Sequence, residues 1–329
     1  MLSFRGALRR GRPNAMESTE VTEKLKQLAE AQAQPLEVKV DMATALIKEA
    51  LAIGPASLAW SGGKDSTVLL DLVRQLAPDI PVVWNNTGVE FPETWPFIKR
   101  MTQEWGLNLH VARPEPGHTF WWCVEKYGWP LFGKDIRNST DHHVSRRLSK
   151  RKEKAADAGR LSSYCCDYLK KKPGTKIQKA MGVKVLMLGN LVAENQTRRF
   201  AWIDRGSLYY GKKRKMWVVW PLWSWRDEDI WAYHREFSLP HCKIYDMGHK
   251  RNGCWPCGMD IGIPGNHLSR LRLSHPKLYR YLMVDKGLGE ELMRIKLALR
   301  DGQGDFFLQE KVARIIDQRP CYFDRMEGL

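Results

Sequence analysis

The chain has 329 residues, of which 43% are hydrophobic and 27% are charged, as is usual for a globular protein with a substantial core. It contains no run of about 18 apolar residues, which excludes a membrane-spanning helix. Its seven cysteines follow no apolar leader, so we expect a cytoplasmic protein with reduced thiols. The formal net charge of +16 favours a polyanionic partner such as nucleic acid, although a solvated surface or a site for small anions would also account for it.

The N-terminal third of the sequence begins with an Arg-rich stretch and continues with helical patterns. Residues 1–15 offer little to pack, so we expect a disordered arm, a start codon assigned ahead of Met16, or a transit peptide. From Ser18 to Leu51 apolar residues recur at three- and four-residue spacing, which predicts helix with a break at Pro35.

Short apolar runs then alternate with helical spacing, and the runs predict buried strands. The predicted strands are residues 57–60, 81–85, 107–112, 184–188 and 217–222, and the predicted helices are residues 67–76, 93–105, 227–237, 290–299 and 308–316. This alternation indicates an α/β fold with a parallel twisted sheet and helices on both faces, whose ligands bind at the carboxyl ends of the strands.

The predicted domain boundaries follow from the same pattern. We assign residues 16–237 to the α/β domain, with a basic insert at about 114–180 that is irregular and rich in turn signals. Residues 238–329 form a cysteine-containing loop and a C-terminal helical region. Aromatic residues near basic runs suit single-stranded nucleic acid or flipped bases, although the edge of a core has the same mixture. The runs are Arg146-Arg147, Lys150-Arg151-Lys152, Lys170-Lys171-Lys172, Arg198-Arg199 and Lys212-Lys213-Arg214-Lys215.

A glycine-containing loop lies between the first predicted strand and the next helix. Its sequence is Ser61-Gly62-Gly63-Lys64-Asp65-Ser66. The glycines let backbone amides point inward, the helix adds its positive dipole, and Lys64 adds a full charge, so the loop suits a pyrophosphate-like anion. The spacing differs from that of a Walker loop, and an ordinary glycine turn is the alternative.

Four further segments support a resemblance to a known family. The loop is similar to the SGGxDS loop of the ATP pyrophosphatases, which have the adenine-nucleotide α-hydrolase-like fold. The other segments resemble motifs of the phosphoadenosine-phosphosulfate (PAPS) reductase family, in the same order. They are Asn86-Thr87-Gly88-Val89-Glu90-Phe91-Pro92-Glu93-Thr94, Tyr164-Cys165-Cys166-Asp167-Tyr168-Leu169-Lys170 with Pro173, Pro221-Leu222-Trp223-Ser224-Trp225-Arg226-Asp227-Glu228-Asp229-Ile230-Trp231 and Gly253-Cys254-Trp255-Pro256-Cys257.

The resemblance implies that the loop grips the β and γ phosphates of ATP while an acceptor oxygen attacks the α phosphate. Ser61, Gly62, Gly63 and Ser66 would then bind pyrophosphate together with the catalytic Lys64. Asp65 and Glu90 would position a metal or the nucleophile. Mg²⁺ is implied as well, because an in-line displacement at phosphorus needs its charge neutralised.

The cysteines of two motifs form a CC…CxxC set. Cys165, Cys166, Cys254 and Cys257 can place four sulfurs around one centre, and soft thiolates select an iron–sulfur cluster or zinc. Similar sets in related assimilatory reductases and DNA-phosphorothioation proteins imply a [4Fe–4S] cluster here, with zinc or plain buried thiols as alternatives. Cys321 lies near the C-terminus, where reductases of this family carry a nucleophilic Cys, but its surroundings do not match their tail.

The sequence departs from a sulfonucleotide reductase in two places. Its phosphate loop is complete, whereas the loop of the reductases is degenerate. The segment that aligns with the family's GxRxxESxxR has Leu191 and Asn195 in place of Arg and Ser, while Glu194 and Arg198 remain to line the nucleotide site. Loss of a cation there removes a charge-assisted contact of about 1.5–3 kcal/mol from a sulfonucleotide. A surface ion pair is the alternative interpretation of Glu194 and Arg198.

These observations together predict an ATP pyrophosphatase that activates a nucleic-acid oxygen, on DNA or tRNA, for sulfur insertion. Its layout is closest to that of DNA-phosphorothioation proteins, and a cysteine desulfurase is the expected sulfur donor. One alternative is a reductase of adenylyl sulfate or PAPS that releases sulfite and depends on Cys321. The other is a non-catalytic nucleotide-binding subunit, which would bind ATP without forming pyrophosphate.

Overall fold

The computed structural model describes residues 18–131, 161–261 and 265–301. Its strands are β1 (Ala56–Ala59), β2 (Val82–Asn85), β3 (Leu109–Ala112), β4 (Val185–Leu188), β5 (Leu208–Gly211) and β6 (Met216–Val219). Within the described ranges they form a six-stranded sheet in the order β3-β2-β1-β4-β6-β5. Every neighbouring pair is parallel except β5 and β6, which are antiparallel. The predicted α/β class with a parallel sheet is therefore confirmed, with β5 as an antiparallel edge.

Helices connect and cover the strands. They are α1 (Ser18–Ala33), α2 (Leu36–Ile53), α3 (Lys64–Leu76), α4 (Thr94–Glu104), α5 (Phe120–Tyr127), α6 (Tyr164–Cys166), α7 (Lys172–Ala180), α8 (Gln196–Arg205), α9 (Asp227–Glu236), α10 (His267–Ser274), α11 (Pro276–Arg280) and α12 (Leu288–Asp301). π-Helical turns at Asp167–Lys171 and Tyr281–Asp285 join α6 to α7 and follow α11. None of the described helices combines the length and apolar character needed to cross a bilayer.

The strand order places a topological switch point between β1 and β4. The chain runs from β1 outward to β3 on one side and then returns to β4 on the other side of β1. Connections on the two sides of such a point diverge at the carboxyl ends of the strands and leave a crevice for a ligand. The loop from Ser61 to Ser66 follows β1, and residues 189–195 follow β4, so both predicted nucleotide-binding segments lie at this crevice.

Most predicted elements are confirmed, and the errors lie in the second half of the α/β domain. The predicted irregular stretch contains α5 and the continuous helical segment from α6 to α7. Pro173, which is a turn signal in the sequence, is the second residue of α7, directly after the π-helical turn at Asp167–Lys171. Helix α8 and strand β5 were missed. The predicted arm at residues 1–15, helix 308–316 and residues 132–160 of the basic insert lie outside the described residues.

A hydrophobic core extends from Ala43 to Ile295 and includes residues of the sheet and of the C-terminal helices. The boundary at residue 237 stays a prediction. Helix α9 is fixed to this core by polar contacts: the hydroxyl of Tyr233 donates to Asp71 Oδ2 at 2.8 Å, and the ammonium of Lys39 lies 2.7 Å from Asp229 Oδ2. Asp229 also accepts the N–H of Arg226, which caps the helix.

We expect Lys39→Met to lower the free energy of unfolding by about 2 kcal/mol, since it removes a cation that is buried against Asp229. The loss stays below that of a fully buried pair because Asp229 is 18% exposed and keeps its bond from Arg226. Urea denaturation of the two proteins measures this difference. The exposed Lys184→Met is the control, and equal urea midpoints for Lys39→Met and wild type would contradict the expectation.

Candidate active site

The phosphate loop is held in shape by its own side chains. Gly62 has φ 69°, which favours glycine, and it turns the chain between β1 and α3. The hydroxyl of Ser66 donates to the carbonyl of Gly63 at 3.0 Å, and the N–H of Gly63 donates to Ser61 Oγ at 3.2 Å. The two serine hydroxyls lie 3.0 Å apart. The serines thus organise the loop in addition to any contact with a ligand.

Lys64 is the buried cation at the start of α3. Its side chain is 6% exposed, and its ammonium lies 2.7 Å from Asp65 Oδ1 and 2.6 Å from Asp227 Oδ1. Burial alone would lower the pKa of Lys64, but the two carboxylates outweigh it and raise this pKa above its ordinary value. Burial raises the pKa of Asp65, and Glu194 and Asp227 add to this effect while Lys64 opposes it. The lysine therefore stays charged at the crevice.

Sequence reasoning missed a strap of residues that covers the loop. The hydroxyl of Tyr245 accepts the N–H of Lys64 at 2.9 Å and the N–H of Asn252 at 3.3 Å. The side-chain amide of Asn252 donates to the carbonyl of Gly62 at 3.2 Å and accepts the hydroxyl of Thr94 at 2.9 Å. Asn252 directly precedes the Gly253-Cys254 motif, which could have drawn attention to it, whereas Tyr245 carries no sequence signal. The strap ties the phosphate loop to the CxxC segment.

The loop after β4 approaches the phosphate loop closely. A Cβ added at Gly189 would lie 3.0 Å from the Cα of Ser66, so only glycine fits there without a shift of backbone. Further along, Glu194 and Arg198 form an ion pair, and Arg251 lies 3.4 Å from Glu194. Burial lowers the pKa of Arg198. Both predicted residues therefore belong to the charged surroundings of Asp65.

Two sequence departures have structural explanations. Leu191, in the position of the family's Arg, is 3% exposed and belongs to the core. Asn195 caps α8, because its side-chain oxygen accepts the N–H of Arg198 at 2.9 Å. The carboxylate of Glu90 accepts hydrogen bonds from the N–H groups of Thr87 at 2.8 Å and Gly88 at 3.1 Å. Glu90 thus stabilises the turn after β2 and also lines the cleft described next.

An open cleft of about 450 Å³ connects the phosphate loop to the cysteine motifs. It is lined by Ala59, Trp60, Ser61, Trp84, Asn85, Glu90, Lys170, Asn252 and Gly253. Ser61 of the phosphate loop, Lys170 of the CC motif and Gly253 of the CxxC motif all line this cleft. Both cysteine segments therefore reach the same cleft as the loop.

The four motif cysteines lie in one electrostatic neighbourhood. The thiol of Cys165 donates to Cys166, which lowers the pKa of Cys166 to about 6 and raises that of Cys165. Burial raises the pKa of Cys257 to about 12, and Cys254 adds to this effect. Cys254, Cys166 and Cys257 raise the pKa of Lys170, whose ammonium faces them. The lowered pKa favours the thiolate form of Cys166, whereas the raised pKa values favour the thiol form of Cys165 and Cys257.

The cysteines are not closed around a single ion. In the described ranges, no group of three or more His, Cys, Asp and Glu side chains is arranged to hold one metal ion. The six described cysteines are free of disulfides. Four thiols from two segments with a neighbouring cation still fit a cluster in kind, since a cluster takes one thiolate at each of its metal corners and carries net negative charge. Cys321 lies outside the described residues.

Comparisons with known proteins place the chain in a family. The phosphoadenosine phosphosulfate reductase domain matches residues 55–259. An adenosine 5′-phosphosulfate reductase of Staphylococcus epidermidis is 26% identical over 198 residues, which cover 60% of this chain and 68% of that protein. A phosphoadenosine 5′-phosphosulfate reductase of Xanthomonas campestris pv. campestris is 26% identical over 202 residues, which cover 61% of this chain and 70% of that protein.

Other similar proteins are more distant or longer. An uncharacterized protein of Methanocaldococcus jannaschii is 25% identical over 240 residues, which cover 72% of this chain and 49% of that protein, so the chain spans about half the length of this relative. The crystal structure of the PAPS reductase from Candida auris in a phosphate complex has 16% identity and a TM-score of 0.45, and the match covers 73% of this chain and 97% of that one.

The matched residues contain the six strands of the sheet, the phosphate loop and the four motif cysteines. Because this match extends over more than half of the chain, the chain belongs to the phosphoadenosine phosphosulfate reductase domain family.

Proposed function

We propose that the chain cleaves ATP between its α and β phosphates and transfers AMP to an acceptor oxygen. The observation that carries this proposal is the complete phosphate loop, with a charged and buried Lys64 at the switch point of the sheet. Backbone amides at the start of α3 and the Lys64 ammonium would bind the β and γ phosphates. The acceptor oxygen forms a bond to the α phosphorus, the bond to the bridging oxygen breaks, and pyrophosphate leaves.

The carboxylates beside Lys64 suit Mg²⁺ bound together with its nucleotide. Mg²⁺ in such sites uses one or two carboxylates and takes its other ligands from phosphates and water. Asp65 and Asp227 both contact the Lys64 ammonium, and these two carboxylates would hold the Mg²⁺. The ion would supply neutralisation of the phosphate charge. Asp227 is 63% exposed and can turn from Lys64 toward an arriving ligand.

The nucleoside part of ATP would lie toward the loop after β4. Glu194 and Arg198 form a partly buried ion pair close to Asp65, and Arg251 extends this pair toward solvent. Such a pair offers both an acceptor and donors for the polar groups of a nucleotide. Leu191 removes the cation that a sulfonucleotide reductase has at the neighbouring position, which disfavours a sulfonated phosphate there.

We further propose that the acceptor is nucleic acid, DNA or tRNA, and that sulfur then displaces AMP from the activated atom. The net charge of +16 supports a polyanionic acceptor. The cleft that joins the phosphate loop to the cysteine segments supports chemistry in which adenylation and sulfur attack share one space. A cysteine desulfurase is the proposed sulfur donor. The cytoplasm, which keeps thiols reduced, is the proposed compartment.

Cys165, Cys166, Cys254 and Cys257 would hold a [4Fe–4S] cluster. Their donor chemistry fits, and the Lys170 ammonium offsets the negative charge that a thiolate-bound cluster carries. Such a cluster would supply a place for sulfur to be carried. The ammonium of Lys170 would lie between the cysteine segments and the cleft, which Lys170 also lines.

A sulfonucleotide reductase is the second candidate, because curated relatives at 26% identity are named adenosine 5′-phosphosulfate and phosphoadenosine 5′-phosphosulfate reductases. This alternative requires sulfite release from the sulfonucleotide and a nucleophilic thiol such as Cys321. Activity with a sulfonucleotide that is lost in Cys321→Ser, without pyrophosphate from ATP, would replace the first proposal.

We expect Lys64→Ala to reduce pyrophosphate formation from ATP about 100-fold, since it removes the buried cation proposed to bind the β and γ phosphates. The measurement is pyrophosphate and AMP release by anaerobically purified protein, with and without single-stranded DNA and tRNA. Lys184→Met is the matched control, because Lys184 is exposed and precedes β4 at the amino end of the strand, away from the crevice, so the activity should persist. Equal rates for Lys64→Ala and wild type would contradict the role of the loop.

Gly189→Ala should weaken ATP binding roughly tenfold while the fold persists, because its methyl group meets the backbone of Asp65 and Ser66 and displaces the loop. Calorimetric titration with ATP measures this change. For Gly182→Ala we expect lower stability and unchanged ATP affinity. The φ of 68° at Gly182 makes alanine strained, but no atom lies within 4 Å of the new methyl group. Unchanged ATP affinity in Gly189→Ala would show that the two loops do not cooperate.

Anaerobically purified protein should contain iron and acid-labile sulfide, and Cys257→Ser should lose both. Cys242→Ser is the control, since Cys242 is a buried thiol outside the motif set. Removal of the metal with a chelator should abolish the visible absorbance of the protein. Zinc without sulfide in the wild-type protein would overturn the cluster and leave a structural zinc site in its place.

A further inference from the structure

A column of tyrosine rings lies beside the cysteine pair. The rings of Tyr127 and Tyr168 are stacked, with centroids 5.5 Å apart and an interplanar angle of 24°. The ring centroid of Tyr164 lies 4.8 Å from that of Tyr127, with an interplanar angle of 43°. The hydroxyls of Tyr127 and Tyr168 lie 2.8 Å apart. We call Tyr164, Tyr127 and Tyr168 the tyrosine column. It fixes α5 against the helical segment from α6 to α7.

The column is closed at one end and open at the other. The ammonium of Lys172 lies 3.6 Å from the ring centroid of Tyr168, so a cation covers that end. Tyr164 is 54% exposed, although a tyrosine ring gains stability from burial. A flat π surface at the end of an ordered stack is a position where one more aromatic ring can be added without rearranging the protein.

Cations without acidic partners flank the column. The ammonium of Lys126 lies 4.7 Å from the ring of Trp122 and 5.4 Å from that of Tyr127. In the described part of the chain neither Lys126 nor Lys172 forms an ion pair, whereas the neighbouring Lys171 is paired with Asp167 at 2.7 Å. Exposed aromatic faces beside such cations match a ligand that alternates flat rings with negative charges.

The column also stands next to the proposed reaction space. Tyr164 is followed in the chain by Cys165 and Cys166, and Lys170 of the same helical segment lines the cleft. A nucleic-acid strand bound along the column would therefore lie near both the cysteines and the cleft, because one helical segment carries Tyr164, the cysteine pair and Lys170.

We propose that the tyrosine column is a stacking platform for single-stranded nucleic acid. A base stacks on Tyr164, Lys126 beside Tyr127 attracts the neighbouring phosphate, and Lys172 at the other end of the column attracts a phosphate further along the strand. Every base has a π face, so the platform accepts any sequence, whereas a double helix hides those faces and is disfavoured. The inference deepens the proposed function and rests on it for the claim that the bound nucleic acid is the acceptor.

Binding is tested with a fluorescein-labelled oligothymidylate by fluorescence anisotropy, in the absence of ATP. Tyr164→Ala should weaken binding about tenfold, and Tyr164→Phe should bind as wild type because the ring is kept. Phe237→Ala is the matched control: Phe237 is also about half exposed, but it follows the C-terminal end of α9 and adjoins none of the basic runs. This control should bind as wild type, and the variants should share its melting temperature.

Unchanged oligothymidylate binding in Tyr164→Ala would overturn the platform. An equal loss of binding to heparin and to duplex DNA would overturn it too, since charge alone would then explain the effect. Pyrophosphate release is measured separately. Release by the wild type together with unchanged binding in Tyr164→Ala removes the platform and keeps the proposed function. Weakened binding in Tyr164→Ala without any pyrophosphate from the wild type supports the platform and removes the proposed function.

Discussion

The charge of Lys64 is the constraint on which the site depends. A cation that is 6% exposed is costly to desolvate, and the protein offsets this cost with Asp65 and Asp227. Asp227 begins α9, and that helix is fixed in turn by Asp229 against Lys39 of α2. The position of one ammonium at the head of α3 therefore links three helices around the switch point. Arriving phosphates would compete with the exposed Asp227 for a cation that is already in place.

The second requirement is a close approach of two loops that are far apart in the chain. The turn after β1 needs the positive φ of Gly62, and the turn after β4 needs Gly189 because backbone of Asp65 and Ser66 occupies the space of a side chain. The parallel pairing of β1 with β4 brings these turns together. The strap of Tyr245 and Asn252 then closes over the same loop, so three chain segments support the phosphate site and one continues into Cys254.

Local patterns made the sheet, the phosphate loop and the cysteine set predictable from the sequence. Apolar runs mark buried strands, and the residues of the loop are contiguous. The contacts of Tyr245, Asn252 and Asp227 with the loop could not be predicted in this way, because each residue reaches the loop from more than 150 positions away, as in the contact of Lys64 with Tyr245, 181 residues apart. Strand β5 was missed since it is an edge strand that ends in glycine and is only partly buried. The segment from α6 to α7 was missed because Pro173 and Gly174 resemble a turn until the preceding π-helical turn is known.

The cleft gives a physical reason to connect nucleotide chemistry with thiol chemistry in this chain. The cleft is lined by Ser61, which belongs to the loop proposed to bind phosphates, and by Lys170. The neighbouring Cys254, Cys166 and Cys257 raise the pKa of Lys170. An acceptor atom that is adenylated in this space is a better electrophile, and it need not leave the cleft to meet a sulfur nucleophile. A reductase would need the cation that Leu191 replaces and a thiol delivered from elsewhere. Leu191 and the residues that line the cleft therefore support the proposed activation by ATP followed by sulfur attack.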